Sequence, residues 1–430
     1  MKLFEIKNKP APWLLVEAAE GKNTHLEHLE DLILNLGYDG AVTAFNYLES
    51  LRIMLSKGQG DPGRVTVKWD GAPAIICGID PADGKFFLGT KSVFAKDAKL
   101  VKSKNDIAKY YSDKPGLASK LTIAFENLPK LGIGNVLQGD LMFTAEDLGV
   151  AEVGGEQCYV FTPNTISYAV PIGTTENPNP LGQRIRAAKM GIIFHTAYEG
   201  PSLPDMIASF GVNVNSLTQT PDVWVDDAFY KDVTGRATLT TTEDRALKNN
   251  IAAGRRTLEK FKPAAQKKKF NVILSNTEFS AYIKPFINNK IRGGEQIGDL
   301  HAFLREFVDF YKGKMEAEIA KLKGGPASKA AQQRLANIQT QEQFIADNMN
   351  TLLAVMAIYK RVIELKLAVV AKLRSVESMI GTFQKTETGY RVMNPEGFVA
   401  IGHDGGAVKL VDRLEFSRAN FAGMQDWKRQ

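Results

Sequence analysis

A lysine amine becomes a covalent nucleophile only when it is held rigidly and kept neutral, and Lys68 stands where a chain can do both. It closes the alternating stretch Val65-Thr66-Val67-Lys68, and the turn Asp70-Gly71 follows. A strand end beside a tight turn fixes the side chain, and burial with neighbouring cations such as Lys91 or Lys409 lowers an amine's pKa. Three more segments supply complementary groups. LGTKSVF carries Lys91, LQGDLMF carries Gly139 and Asp140, and the C-terminal pair NPEGFVAI and GGAVKLVDRLEF carries Glu396, Gly397 and Lys409. Asp70, Asp140 and Glu396 suit a ribose or a hydrated Mg2+, a cation that keeps its waters and takes few carboxylates. Cations around a triphosphate stabilise the charge that develops on departing pyrophosphate. Each segment alone is a weak signal; their order and their β-rich contexts make them a set.

Other chemistry-bearing patterns fall away. LGIGNV places two glycines as a dinucleotide fingerprint does, but Leu137 occupies the third position, and neither a Gly-Lys-Ser/Thr phosphate loop nor a Gly-x-Ser-x-Gly elbow is present. His25 and His28 lie three apart on an expected helix with no third ligand in view, which reads as a solvated helix start. His195, within GIIFHTAYEG, reads as a structural strand histidine. The only cysteines, Cys77 and Cys158, make neither a disulfide framework nor a zinc spacing, so a reducing cytoplasm is expected. Apolar runs such as Leu352 to Ile358 fall well short of the roughly 18 residues of a membrane span. The N-terminal MKLFEIKNKPAPW has no apolar signal-peptide run.

The elements that must position these groups follow from periodicity. Residues 1–58 read as mostly helical: Thr24 is an expected N-cap, Gly37 an expected stop, and a second pattern ends at Gly58. From Arg64 the period shortens. Asp83-Gly84 separates IICGI from KFFLGTKSVF as a hairpin, and strands follow over NVLQGDLMF, QCYVFTPNTISYAV and MGIIFHTAYE. This pattern predicts an antiparallel or mixed α+β domain rather than alternating βαβ units. Residues 243–382 show helical spacing, with GGPAS at 324–328 as a turn, and strand alternation returns over the last 45 residues. The expected organisation is a helical segment 1–58, a core in two parts (59–222 and 386–430), and a helical insertion at 223–385. Between Arg245 and Lys385, 25 Lys+Arg face 12 Asp+Glu, a balance of +13 in a chain whose total is +6, which leaves −7 elsewhere. Such asymmetry predicts a polyanion-binding region on a more neutral body, with the clusters Arg255-Arg256 and Lys267-Lys268-Lys269 against a phosphate backbone.

The set of motifs resembles the covalent nucleotidyltransferase superfamily of ATP-dependent DNA ligases, RNA ligases and mRNA capping enzymes. KWDG at 68–71 is similar to its Lys-x-Asp-Gly motif, which makes Lys68 the implied site of AMP attachment, with Asp70 and Gly71 beside it. GTKS at 89–92 resembles the next motif, with Lys91 where arginine is usual. QGDL at 138–141 resembles the Gly-Glu ribose motif with Asp140 in place of glutamate, and YVFT at 159–162 resembles the following strand, which implies that Phe161 stacks on the purine. EGFV at 396–399 matches the Glu-Gly motif, and AVKLV at 407–411 resembles the final Lys-x-Lys motif with Lys409 retained. The arginine usual two residues after the motif glycine is replaced by Pro73. The resemblance covers roughly residues 60–200 and 385–420.

What the resemblance implies is an α+β fold: a β-rich, ATP-grasp-like nucleotidyltransferase core with N-terminal helices and a large inserted α-helical subdomain. It implies an ATP-dependent polynucleotide ligase using ATP and Mg2+, with Asp140 and Glu396 near the metal and a nucleic acid bearing a 5′-phosphate as partner. Only 21 residues follow Lys409, too few for the OB-fold that DNA ligases and capping enzymes carry there, which favours RNA over DNA. Two other readings remain open at this level. One is a non-catalytic nucleic-acid-binding protein on the same fold. The other is an adenylyltransferase acting on a protein or small molecule.

Overall fold

The computed structural model describes residues 26–57, 65–230, 237–375, 380–386, 389–402 and 406–417, so Thr24, His25 and Gly58 lie outside it. The chain is mixed α+β with several sheets, and it divides into two units. One comprises Met1–Leu26, Gln59–Ala237 and Lys372–Lys409, the other Glu27–Gly58, Thr238–Ala371 and Leu410–Gln430. In sequence, the helical stretch Thr238–Ala371 therefore lies between the segments Gln59–Ala237 and Lys372–Lys409 of the β-rich unit. It runs from 238 to 371 where the sequence reading placed 223 to 385, and the helix Asp31–Lys57 belongs with it.

In the β-rich unit, β1 (Val65–Lys68), β13 (Gly397–Ile401) and β14 (Ala407–Leu410) form a three-stranded sheet in the order β1-β13-β14. A second sheet has the order β10-β8-β4-β2-β3, with β9 also on β8. Its members are β2 (Ala74–Ile79), β3 (Phe86–Gly89), β4 (Val136–Thr144), β8 (Met190–Glu199), β9 (Ile207–Phe210) and β10 (Val223–Asp227). The third sheet, β12-β11-β7-β6-β5, contains β5 (Gly149–Val153), β6 (Glu156–Phe161), β7 (Ser167–Pro171), β11 (Gly381–Thr386) and β12 (Gly389–Val392). β2 and β3 form the expected antiparallel hairpin, with Gly84 at φ 69. Only the β8–β10 pair is parallel among the registered pairs of the six-stranded sheet.

Alternation on these strands sorts side chains onto two faces. Ile75, Leu137, Leu141, Ile192, Phe194 and Val225 face Ile107, Tyr111, Leu121 and Leu128 of α2 (Lys104–Tyr111), α3 (Pro115–Asn127) and the turn after it. On the opposite face Met142, Phe143, Ile193 and Trp224 meet Tyr159, Phe161, Tyr168 and Val170 of β6 and β7, and Ile185 of α4 (Pro180–Ala187). The unit is layered as helices, six-stranded sheet, five-stranded sheet. The expected single strand QCYVFTPNTISYAV is two strands with a turn at 162–166 between them. That turn has a specific docking partner, described below.

The helical unit contains α1 (Asp31–Lys57), α5 (Thr241–Glu259), α6 (Ala264–Phe270), α7 (Val272–Ser275), α8 (Thr277–Arg292), α9 (Leu300–Ile319) and the 45-residue α10 (Lys329–Leu373). Thr240 and Glu243 close a reciprocal capping box at the start of α5. Gly37 does not end the first helix. It kinks α1 at φ 58, ψ −129, and the Asn271 carboxamide oxygen accepts from the Tyr38 N–H (2.8 Å). A Cβ at residue 37 would lie 2.3 Å from that oxygen, so both conformation and space require glycine. Phe279, Phe286, Phe303 and Phe307 form the aromatic contacts between α8 and α9. No helix among the described residues is long and apolar enough to cross a membrane.

Candidate active site

Antiparallel pairing of β1 with β13 sets Lys68 opposite Gly397, so residues 328 apart in sequence meet. The Lys68 ammonium donates to Glu396 Oε2 and the two form an ion pair. Glu396 is 8 % exposed. Burial raises its pKa, and the opposing charges of Lys68 and Lys409, with the hydrogen bond from Lys68, offset this only in part. Lys409 reaches this field from β14, the strand beside β13. The arrangement puts an amine in contact with a carboxylate poised to hold a proton, in a site that a second cation also feels.

Asp70 is buried, and both its oxygens are occupied. Oδ1 accepts from Asn164 Nδ2 (2.8 Å); Oδ2 accepts from Thr165 N (2.9 Å), Thr165 Oγ1 (2.6 Å) and Ile166 N (3.0 Å). Its own N–H donates to the Tyr168 hydroxyl at 2.8 Å. Asp70 thus clamps the 162–166 turn beneath Lys68 and acts as a positioning residue. Asp70→Ala removes the acceptor of four donors, the buried Ile166 N–H among them. It should destabilise the β-rich unit by about 3 kcal/mol, read as a lower urea midpoint by near-ultraviolet circular dichroism.

Gly71 runs against β4. Ala72 N donates to Leu141 O (3.0 Å), and Leu141 N donates to Pro73 O (3.1 Å). A Cβ at residue 71 would lie 2.5 Å from Asp140 Cβ and 3.0 Å from Met142 Sδ. This contact brings the first and third motifs together. Gly71→Ala must push the β4 backbone away, and thermal unfolding should show a loss of about 1–3 kcal/mol.

Tyr168, fully buried on β7, marks the centre of the site. Burial raises its pKa well above the usual phenol range, and the charges of Asp70, Glu396 and Asp140 push the same way, against the hydrogen bond from Asp70 N. The phenol therefore feels all three carboxylates that the sequence singles out. Trp69 packs on Tyr168 at 5.2 Å, and no hydrogen-bond acceptor among the described residues meets its buried indole N–H. Asp140 also faces His195, whose Nε2 lies 3.7 Å from Asp140 Oδ2. The β4–β8 register passes from Gln138↔Thr196 to Gly139↔Phe194, which leaves His195 as the extra residue of a bulge. Gly139 permits the close approach, since a Cβ there would lie 2.6 Å from Ile193 O. The strand histidine expected to be merely structural is thus aimed at a motif carboxylate. Tyr168, Trp69 and His195 carry no motif of their own, and the bulge register that directs His195 is invisible in a uniform apolar run.

Other expectations fare differently. Phe161 is 1 % exposed, stacked on Tyr168 (5.6 Å) and tilted against Phe143 (4.9 Å). Its ring is filled by core neighbours, so the purine-stacking role implied for it is not open to it. Lys91 stands on the 3-10 turn Lys91–Phe94 after β3, two strands from Asp140, and desolvation draws its amine pKa down. Glu396 and Asp140 supply oxygen donors suited to a hard cation, although no group of three His, Cys, Asp or Glu among the described residues forms a ready cage. Mg2+ requires none, since it is commonly held by one or two carboxylates and substrate phosphates.

The basic clusters lie on the helical unit and divide in two. Arg255 donates to Phe45 O (3.2 Å) and Asn46 Oδ1 (2.9 Å), and Lys267 pairs with Asp39 (2.7 Å) above the Tyr38 ring. These two brace α1 against α5 and α6. Arg256, Lys268 and Lys269 are exposed.

No curated protein and no solved structure matches the chain. A sequence-family profile does match, over residues 23–425, spanning both core segments and the insertion between them. The chain therefore belongs to DUF6267, a family of unknown function.

Proposed function

We propose that the protein is an ATP-dependent polynucleotide ligase, acting on RNA in preference to DNA through a covalent lysyl-AMP on Lys68, with the β-rich unit as a nucleotidyltransferase core. The observation that carries this reading is the Lys68–Glu396 ion pair, a half-exposed amine on a buried carboxylate, drawn from two distant motifs in the field of Asp70, Asp140, Tyr168 and Lys409. Glu396, its pKa raised by burial, accepts the proton that the Lys68 ammonium must lose. The neutral amine then attacks the α-phosphorus of ATP. The N–P bond forms, the bond to the bridging oxygen breaks, and pyrophosphate leaves beside Lys409 and Lys91. A bound Mg2+ would neutralise phosphate charge, with Asp140 as its protein contact once Glu396 serves as the proton acceptor. In the second step an oxygen of a nucleic-acid 5′-phosphate takes the AMP from Lys68. In the third a 3′-hydroxyl attacks that phosphorus, AMP departs and the strand is sealed.

The exposed cations Arg256, Lys268 and Lys269, in a segment of net charge +13, support a polyanion as substrate. The test is to incubate the protein with α-labelled ATP and Mg2+, denature it, and map the label. Label on the Lys68 peptide that chases onto 5′-phosphorylated RNA is expected. Label that stays on protein, or passes only to a non-nucleic acceptor, points to an adenylyltransferase. Salt-sensitive RNA binding with no label reduces the protein to a binding module.

A further inference from the structure

We propose that Asp140 and His195 are paired ligands for a transition-type divalent cation, manganese above magnesium, at the nucleotide site. The proposal rests on the reading above for the phosphates that would complete the coordination, and deepens it by naming the kind of cation the site selects. Three observations converge. The bulge in β8 directs His195 towards the carboxylate, a common use of bulges beside functional sites. The bulge is built to last: the His195 carbonyl accepts from Gly211 N (2.9 Å), a glycine at φ 85, and Gly139 clears the space on β4. Finally, the other ring nitrogen is occupied, with His195 Nδ1 2.7 Å from the hydroxyl of the buried Thr196.

The ring's two tautomers differ in what they present to Asp140. With the proton on Nδ1, donated to Thr196 Oγ1, the Nε2 lone pair faces a carboxylate oxygen 3.7 Å away. Two acceptors facing each other repel unless a cation lies between them. Their separation exceeds a hydrogen bond. Two cis ligands on one octahedral ion at about 2.1 Å stand about 3 Å apart, so well under 1 Å of closure would seat both. An imidazole held through its second nitrogen is the usual form of a metal-ligating histidine. One nitrogen and one carboxylate favour manganese-like ions over magnesium, which prefers oxygen alone.

The experiment titrates Mn2+ alone into the full-length protein and follows the electron-paramagnetic-resonance signal of the free ion. Wild type should take up one ion per chain in competition with a moderate excess of Mg2+, with spin-echo modulation from a directly bound 14N. His195→Gln should lose the nitrogen modulation and bind at least about tenfold more weakly. Absence of nitrogen modulation in wild type, which needs no variant to fold, overturns the proposal. So does a His195→Gln protein that binds Mn2+ as wild type does. The two proposals fail separately. Nitrogen-coupled Mn2+ with no ATP label keeps the cation site and removes the ligase reading; Mg2+-supported label without nitrogen coupling does the reverse.

Discussion

Replacing Lys68 with arginine should abolish the proposed covalent labelling by ATP while leaving the protein folded. Arginine keeps a cation against Glu396, but its guanidinium stays protonated and never presents a neutral nitrogen at working pH. The expected loss of label is at least about a thousandfold, since the guanidinium cannot serve as the nucleophile. Lys68→Ala should lose label equally and also change stability with pH. Burial already holds the Glu396 carboxyl above its ordinary value, and the Lys68 charge is the largest influence opposing that. A carboxyl whose folded pKa exceeds its unfolded value favours the folded state below the unfolded value, and that advantage disappears as pH rises through the folded pKa. Without Lys68 the folded pKa climbs further. Thermal midpoints of Lys68→Ala should therefore fall relative to Lys68→Arg as pH rises from the carboxylate range to neutrality. Equal labelling of Lys68→Arg and wild type would end the nucleophile assignment.

Which motif residues meet was largely legible in the sequence, and the architecture that brings them together only partly so. KWDG and EGFV meet because Lys68 and Glu396 are opposite charges on the paired strands β1 and β13, and that charge complementarity shows in residue types alone. The limits of β8 coincide with MGIIFHTAYE because an apolar run between turn signals reads directly as a buried strand. Phe161 misled because a stacking aromatic and a core aromatic occupy identical strand positions; only the rings of Phe143 and Tyr168 decide. The 162–166 turn was hidden because its partner, Asp70, lies more than 90 residues away. Arg255 and Lys267 look like any surface cations until α1 supplies their acceptors. The same helix was assigned to a segment of its own because periodicity reveals an apolar face without revealing what covers it.

The second large effect is expected in the helical unit. Lys366, 1 % exposed, donates to both oxygens of Glu30 at 2.8 Å, and Arg413 bridges Glu30 (3.5 Å) and Asp31 (3.3 Å). Tyr359 donates to Asp31 at 3.0 Å. Lys366→Met should cost about 3–5 kcal/mol, because it strands a buried carboxylate rather than because the intact pair is strongly stabilising. The double variant Glu30→Leu/Lys366→Met should recover most of that loss in urea unfolding, and a double variant as unstable as the single would refute the argument. Burial alone would raise the Glu30 pKa, yet the charges of Lys366, His28 and Arg413 outweigh it and lower the carboxyl to about 2. A depressed carboxyl stabilises the fold above its unfolded value, so this contribution is complete above pH about 4.5 and is lost as pH falls towards 2. Asp31 carries the opposite sign, its carboxyl raised by burial ahead of the attraction to Arg413. Acid unfolding of wild type should thus be steep below pH about 4.5, and in Glu30→Leu/Lys366→Met this step should flatten.

The pairing of β1 with β13 also sets a clock during synthesis. Lys68 leaves the ribosome 328 residues before Glu396, an interval of roughly 15–65 s at ordinary elongation rates. Throughout it the nucleophile strand lacks the edge that holds its counter-charge, while the whole helical insertion is made and free to fold. A nascent chain therefore carries the lysine but not the means to hold and relieve it of its proton. If Lys68 is the proposed nucleophile, its partner arrives only with the last few strands, and a product truncated before them should take no label from ATP however well its helices had formed.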